Sequence, residues 1–521
     1  MKDIVSLDVY LLAICVVITG NCCYGKTVIM FPIPTRSYVL YHSKIAMALA
    51  ELGHSVHICL TEHSAKEGLV RESDRVHFLT YGQNLGNVEQ TLLLSTNLVE
   101  KFWKRETVGL GMSSLKPLAD HIRHFVTEVM SDNVFIEKYK SLNPDLFILE
   151  STVLVLNMVV LPYAMGTPFA LLGTLHDMIL TRTPFSPAVE PFPHASFTNR
   201  MTFLERVEST LMCLARLTID PLTDDSLVAS FAPHKPQLSV YNILRRAEVF
   251  IAETDSILDY PRPMMVNTKL IGGSSATEPR ALQGQFKTFV NESPKGLAVV
   301  TFGASDHKVP ASILDKMMSA FTQLDLSVIW KRDNMTSPVP PNVLTSEWIP
   351  QNDLLGHPKT KVFVSHCGKN GQYESLYQGV PILCLPIYGD QFYNSKRIVT
   401  KEFGLDADIR DITSEELAQL IQRVAYDPKY RNNIQKASML FKELYKVPSK
   451  EAAYWFDHVM RYGGDYMRSP GQEMPFYQFL LLDVMAFVTL VVVIYLLIMY
   501  AIFRLCFTWI QKRRHEKIKL Q

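Results

Sequence analysis

The sequence predicts an α/β protein of two doubly wound, Rossmann-like domains facing a cleft, with one transmembrane helix near the C-terminal end. Three observations predict it. Short continuous apolar runs alternate with helical patterns in two separate series, a stretch rich in proline and glycine parts them, and one apolar segment near the end carries no charge. Apolar runs of five or six residues separated by helices belong to parallel sheets buried on both faces. A chain of 521 residues is long enough for two such cores.

Each element follows in order. After Met1, Lys2 and Asp3, the run "IVSLDVYLLAICVVITG" and the small residues behind it have the pattern of a secretory signal peptide over 1–25. Residues 26–250 carry the first series: "VIMFPI", the helical "SKIAMALAELGH", "VHICLT", "DLFILE" and "PFALLG". The segment 251–285, with "LDYPRPMMVNTKLIGGSSATEPR", lacks strong periodicity and reads as a linker. The second series, "GLAVVTFG", "LSVIWKR", "KVFVSH" and "PILCLP", fills 286–445. A returning helical segment, 446–483, leads into residues 484–503, "VMAFVTLVVVIYLLIMYAIF". At about 1.5 Å per residue this run matches the roughly 30 Å hydrocarbon core of a bilayer.

The tail 504–521 holds Arg504, Lys512, Arg513, Arg514, Lys517 and Lys519. Basic flanks stay cytosolic, which predicts a single-pass type I membrane protein with residues 26–480 in the lumen. Lys517 and Lys519 fit either a dilysine signal for retrieval to the endoplasmic reticulum or an ordinary basic flank. The sequons at Asn291 and Asn334 suit a luminal, glycosylated chain.

The 52 Lys and Arg nearly cancel the 51 Asp and Glu, so no basic field recruits nucleic acid. Away from the two apolar ends only Cys59, Cys213, Cys367 and Cys384 remain, without a CxxC or a His/Cys ligand spacing. Neither a disulfide framework nor a metal site is expected.

The stretch 365–374, "SHCGKNGQYE", carries the chemistry. It ends a strand and opens a helix, where free backbone N–H groups and the helix dipole favour an anion. Gly368 and Gly371 let the backbone come close, His366 and Asn370 donate to phosphate oxygens, and Lys369 adds charge. Glu374, a turn further on, accepts hydrogen bonds and suits a ribose diol. A nucleoside diphosphate fits the set.

The run "WIPQNDLLGHPKTKVFVSHCGKNGQYESLYQGVPILCLPIYGDQFYN", Trp348 to Asn394, resembles the signature of the UDP-glycosyltransferase family, above all its membrane-anchored animal UDP-glucuronosyltransferases. "LDYPRP", "TFG" at 301–303, the anchor and the basic tail extend the resemblance over nearly the whole chain. It implies a GT-B arrangement with an N-terminal acceptor-binding domain and a C-terminal UDP-sugar-binding domain. Residue by residue, it implies that Trp348 stacks on or packs beside the uracil and Gln351 contacts the uridine. His366, Gly368 and Asn370 would hold the diphosphate, Glu374 the ribose, and Asp390 and Gln391 the donor-sugar hydroxyls. Cys367 and Lys369 stand where relatives carry Gly and Thr or Ser; Lys369 is expected to strengthen the grip on phosphate. Arg262 in "YPRP" is a candidate partner for a sugar carboxylate.

In this family a His at the start of the first luminal helix deprotonates the acceptor, oriented by an Asp after a later strand. The matching positions here are Tyr38 and Glu150. A phenol with a reference pKa of about 10 is a poor base at neutral pH, and a neighbouring carboxylate raises it further. His42, one helical turn on, is a candidate substitute base.

The resemblance therefore implies inverting, metal-independent transfer of a glucuronosyl or glucosyl group from UDP-glucuronate or UDP-glucose to small lipophilic acceptors. UDP-sugar is the co-substrate, and no other cofactor is implied. Four readings stand: transfer using His42 or Tyr38 with Glu150; transfer to acceptors that need no base; a catalytically weak or inactive UDP-sugar-binding member that modulates related transferases; and a transport or scaffold role. The partners implied are the UDP-sugar, the acceptor, the membrane, and related transferases or a second copy of the chain.

Overall fold

The computed structural model describes residues 25–519 apart from 67, 69, 71, 83–84, 86–102, 106–111, 175, 185, 193–195, 219–221, 304–308 and 333–338. The signal-peptide residues 1–24 and the sequon Asn334 lie outside the described residues, as do the side chains of Lys517 and Lys519. The chain divides into two compact units, Met1–Arg468 and Ser469–Gln521.

The first unit holds two parallel sheets. One contains β1 (Thr27–Phe31), β2 (Ser55–Thr61), β3 (Val76–Tyr81), β4 (Leu146–Glu150), β5 (Phe169–Gly173), β6 (Phe250–Ala252) and β7 (Thr268–Leu270), in the order β3-β2-β1-β4-β5-β6-β7. The other contains β8 (Leu297–Thr301), β9 (Ser327–Lys331), β10 (Val343–Ser346), β11 (Thr360–Ser365), β12 (Ile382–Cys384) and β13 (Gly404–Asp406), in the order β10-β9-β8-β11-β12-β13. Both run outward from a reversal of strand order, at β1/β4 and at β8/β11, which is the doubly wound pattern.

Side-chain alternation shows why each sheet is covered on both faces. In β1, Ile29 and Phe31 enter one apolar cluster while Val28 and Met30 enter another. In β8, Ala298 and Val300 face one cluster, and Leu297 and Val299 face a different one. Strands buried this way read as continuous apolar runs.

Two boundaries differ from expectation. Strands β6 and β7 bracket the first part of the segment 251–285 that reads as a linker, and they pair in register, Phe250 to Thr268 and Ala252 to Leu270. Three-residue strands beside prolines are too short to show a period, so the sequence pattern conceals them. The returning segment begins with a helix, Pro448–Tyr462, whose Ala452, Ala453, Phe456 and Val459 pack in the same cluster as Val39, Ile45 and Leu49 of the first domain.

The second unit is dominated by the helix Leu482–Lys519. Over Leu482–His515 it is long and apolar enough to cross a membrane, and none of that stretch is buried within the protein.

Candidate functional site

Ligands in doubly wound sheets bind beyond the carboxyl ends of strands at the point where strand order reverses. Both reversal points here carry the residues singled out in the sequence. Beyond β1 begins α1 (Arg36–Glu51), which bears Tyr38 in its first turn and His42 one turn on, and Glu150 closes β4. Beyond β8 and β11 lie Gly303 and the loop at His366, leading into α2 (Lys369–Gln378).

On the first side, Glu150 is fully buried, and its Oε1 accepts a 2.8 Å hydrogen bond from the Thr152 hydroxyl. Burial pushes its carboxyl up to about 8. Gly173 on the neighbouring strand leaves space for Ser151, the residue after Glu150, whose Oγ would lie 1.7 Å from an added Cβ. His42 Nε2 stands 3.8 Å from Glu150 Oε2, while its Nδ1–H donates to the Tyr38 carbonyl at 3.0 Å. His42 has no exposed surface, and burial lowers it to about 3, so it stays neutral. A substitute base must touch the acceptor. The structure corrects that expectation, because His42 backs Glu150 and does not face the cleft.

Tyr38 does face it. The phenol is half-buried beside the hydroxyls of Thr152 and Thr174, and burial, together with the charges of Glu150 and Asp390, raises its pKa well above the usual range.

On the second side, Gly368 precedes α2 without a side-chain cap, so the first N–H groups of that helix stay open to a ligand. The glycine is required, because a Cβ there would lie 2.5 Å from His366 Nε2. Burial lowers His366 to about 4, opposed by Asp390. A neutral imidazole at this site is a hydrogen-bond donor and not a fixed charge. The Asn370 carbonyl accepts from Ser275 Oγ at 3.2 Å. Gln351 Nε2 donates to Glu374 Oε2 at 2.6 Å, and burial pushes Glu374 up to about 7. Trp348 is 55% exposed, with the Arg36 guanidinium 4.4 Å over its ring. Asp390 opens α3 (Gln391–Thr400), and its carboxylate accepts from Asn394 Nδ2 at 2.6 Å. Gln391 is buried, its amide oxygen accepting the backbone N–H groups of Ile387 and Tyr388 at 2.8 and 3.1 Å. It holds the turn that presents Asp390.

Three further expectations change. Lys369 reaches across the cleft to the carbonyl of Thr174, its charge felt by the buried Glu253 and Glu150. Burial lowers its ammonium to about 8. Arg262 meets carboxylates, but they belong to the chain: Glu190 at 2.7 Å and Asp259 at 2.8 Å, with the Tyr393 hydroxyl at 2.9 Å. Cys367 and Cys384, expected to stay unpaired, form a disulfide. Cys367 sits at φ 63°, the left-handed region that suits the glycine of relatives.

Sequence reasoning missed Thr152, Thr174, Glu253 and Arg36, and also Lys44, which donates to the Ser274 and Ser275 carbonyls and whose charge is felt by Glu374. Glu253 had a readable signal, since a carboxylate directly after an apolar strand end marks the binding edge of a sheet. It was hidden by the linker reading.

Residues 26–517 match the family described as UDP-glucoronosyl and UDP-glucosyl transferase. UDP-glycosyltransferase UGT5 of Dactylopius coccus is 28% identical over 90% of this chain and 90% of its own length. Human UDP-glucuronosyltransferase 1A1 is 31% identical over 63% of this chain and 61% of its own length. The structure of Phytolacca americana UGT2 superposes with a TM-score of 0.55 at 16% identity, covering 83% of this chain and 100% of that one. With the family's match running through both sheets and the apolar helix, this chain belongs to the UDP-glucuronosyl and UDP-glucosyl transferases and has their two-domain GT-B fold.

Proposed function

We propose that the chain transfers a glucuronosyl or glucosyl group from its UDP-sugar to a small lipophilic acceptor, with inversion at the anomeric carbon. The observation that carries this is Asp390, whose charge is felt both by the Tyr38 phenol and by His366. It stands between the two strand-order reversals, where the sugar of a donor held on α2 would meet an acceptor lying against Tyr38. The diphosphate rests on the open N–H groups of α2 and on His366 and Asn370, which take up the charge that grows on departing UDP. Glu374 and Gln351 receive the ribose and uridine, Trp348 the uracil, and Asp390 the sugar hydroxyls. The relative's printed activity and the UDP-2-fluoro-glucose in the Phytolacca complex support a UDP-sugar donor.

The apolar helix holds the protein in the endoplasmic reticulum membrane, with the body luminal and the basic tail cytosolic. Protease added outside sealed microsomes should remove only the tail beyond about residue 504. Digestion of the body would reverse this topology.

The transfer test is to incubate full-length protein in membranes with labelled UDP-glucuronate or UDP-glucose and a panel of phenols, alcohols and amines, measuring donor binding and transfer separately. His366→Ala and Asn370→Ala should each weaken UDP by about 1–3 kcal/mol. Glu374→Ala should weaken UDP and spare pyrophosphate. UDP affinity that survives all three changes would remove the donor assignment. A second reading, a donor-binding member that modulates related transferases, is favoured by one observation: burial and neighbouring carboxylates hold the phenol at position 38 in its protonated form. UDP binding without transfer to any acceptor would select it.

A further inference from the structure

Besides Cys367, three residues depart from the pattern of the family at places where chemistry is expected: Tyr38, Glu150 and Lys369. In sequence they are unrelated, yet in the fold they converge. Glu150 Oε1 accepts from Thr152 Oγ1 at 2.8 Å, the Tyr38 phenol lies beside that same hydroxyl, and Lys369 crosses from the donor loop to the backbone carbonyl of Thr174, whose side-chain hydroxyl is the other one beside the phenol. Behind them Glu150 Oε2 and His42 Nε2 are buried without hydrogen-bond partners, 3.8 Å apart.

We infer that Tyr38, Thr152 and Glu150 form a proton relay that replaces the family's His–Asp pair, with Lys369, which reaches the Thr174 carbonyl from across the cleft, as its positioning residue. The inference rests on the transferase reading. The relay begins with Glu150 ionised. As the acceptor oxygen bonds to the anomeric carbon, its proton passes to Tyr38 Oη. The phenolic proton passes to Thr152 Oγ1, and the threonine proton to Glu150 Oε1. The bond from the anomeric carbon to the β-phosphate oxygen breaks, and its electron pair leaves with UDP. One proton has moved from acceptor to Glu150, which returns it by the same path after the products depart. No phenolate accumulates, so the high pKa of Tyr38 does not stop the reaction.

The groups facing Glu150 set its pH dependence. His42 is neutral, with its Nδ1–H directed at the Tyr38 carbonyl. Glu253 opposes ionisation of Glu150, and Lys369 favours it. Burial dominates and holds the carboxyl near 8. The relay needs the carboxylate, so transfer rises as pH climbs through that value and then levels; Lys369, itself lowered to about 8, loses its charge over the same range and broadens the rise.

The test uses full-length protein in nanodiscs, with geraniol as an alcohol that does not titrate in this range and aniline as an acceptor that needs no base. Wild-type kcat for geraniol should climb through pH 8 and level off. Thr152→Val and Glu150→Gln should each lower it by about 10²-fold or more and flatten the profile, with UDP affinity unchanged. Thr152→Ser, which keeps the hydroxyl, should restore both rate and profile. Lys369→Met should move the inflection to higher pH, and aniline transfer should be far less affected by the Thr152 changes. Should Thr152→Val fail to fold, Glu150→Gln and Thr152→Ser decide the matter. Geraniol transfer with unchanged rate and pH profile in Thr152→Val or Glu150→Gln overturns the relay alone. A wild type that binds UDP but transfers to neither acceptor overturns the transferase reading together with the relay.

Discussion

At the scale of single residues, burial decides what Tyr38 and Glu150 can do. An exposed glutamate titrates near 4.3, whereas the enclosed Glu150 is pushed up to about 8. Between these values the folded chain holds a proton that the unfolded chain has released, so this group makes stability fall as pH rises across the window. Thermal unfolding of the full-length protein should show that decline, and Glu150→Gln should make it shallower. The remaining slope is the sum of Glu253 and Glu374, whose carboxyls burial also raises, and of His42 and His366, whose lowered values act in the opposite direction below about pH 6.5. Tyr38→His is expected to raise alcohol transfer at pH 7 and to shift the rate profile downward in pH, because an imidazole titrating near 6.5 can take the proton itself. Kinetics with geraniol across pH 6–9 check this, and a lower rate in a variant that still binds UDP would refute it.

Among elements, legibility depended on whether the recognition chemistry is contiguous. The donor loop could be read because strand, glycines, imidazole and helix N-terminus follow one another within 365–374. In the other half Tyr38 and Glu150 could be placed through the family resemblance, but Thr152, Thr174 and Glu253 follow the ends of different strands and meet only through sheet order. The doubly wound class was legible from apolar runs, yet β6 and β7 escaped because strands of three residues carry no period. The helix Pro448–Tyr462 illustrates a third case. Its helical pattern was plain but its docking partner was not, since residues some four hundred positions earlier supply the complementary surface. Phe456 is fully buried there, and Phe456→Ala should cost about 3–5 kcal/mol in denaturant unfolding. A loss below about 1 kcal/mol would mean that this helix contributes little to the first domain.

For the molecule as a whole, Arg262 links its parts. Glu190 belongs to the first domain, Tyr393 to the second, and Asp259 to the segment between β6 and β7. Arg397 adds a further contact to Asp259 at 3.2 Å, and all the charges in this group are buried. Arg262→Met leaves Glu190 and Asp259 short of a cation, with an expected loss of about 3–5 kcal/mol. Denaturant titration of the full-length variant, with UDP binding as a second measurement, separates loosened domains from a damaged donor loop. The disulfide has a practical consequence of another kind. Cys367 and Cys384 lie at the ends of β11 and β12, and Cys367 takes a backbone conformation that costs a side-chain-bearing residue roughly 1–2 kcal/mol. Protein made in a reducing cytosol, or stored with dithiothreitol, loses the covalent tie at this residue, which stands between His366 and Gly368 in the donor loop. Such samples should bind UDP more weakly than oxidised ones and recover on reoxidation, with peptide mapping reporting the cross-link, so the choice of expression host and buffer enters every affinity measured on this chain.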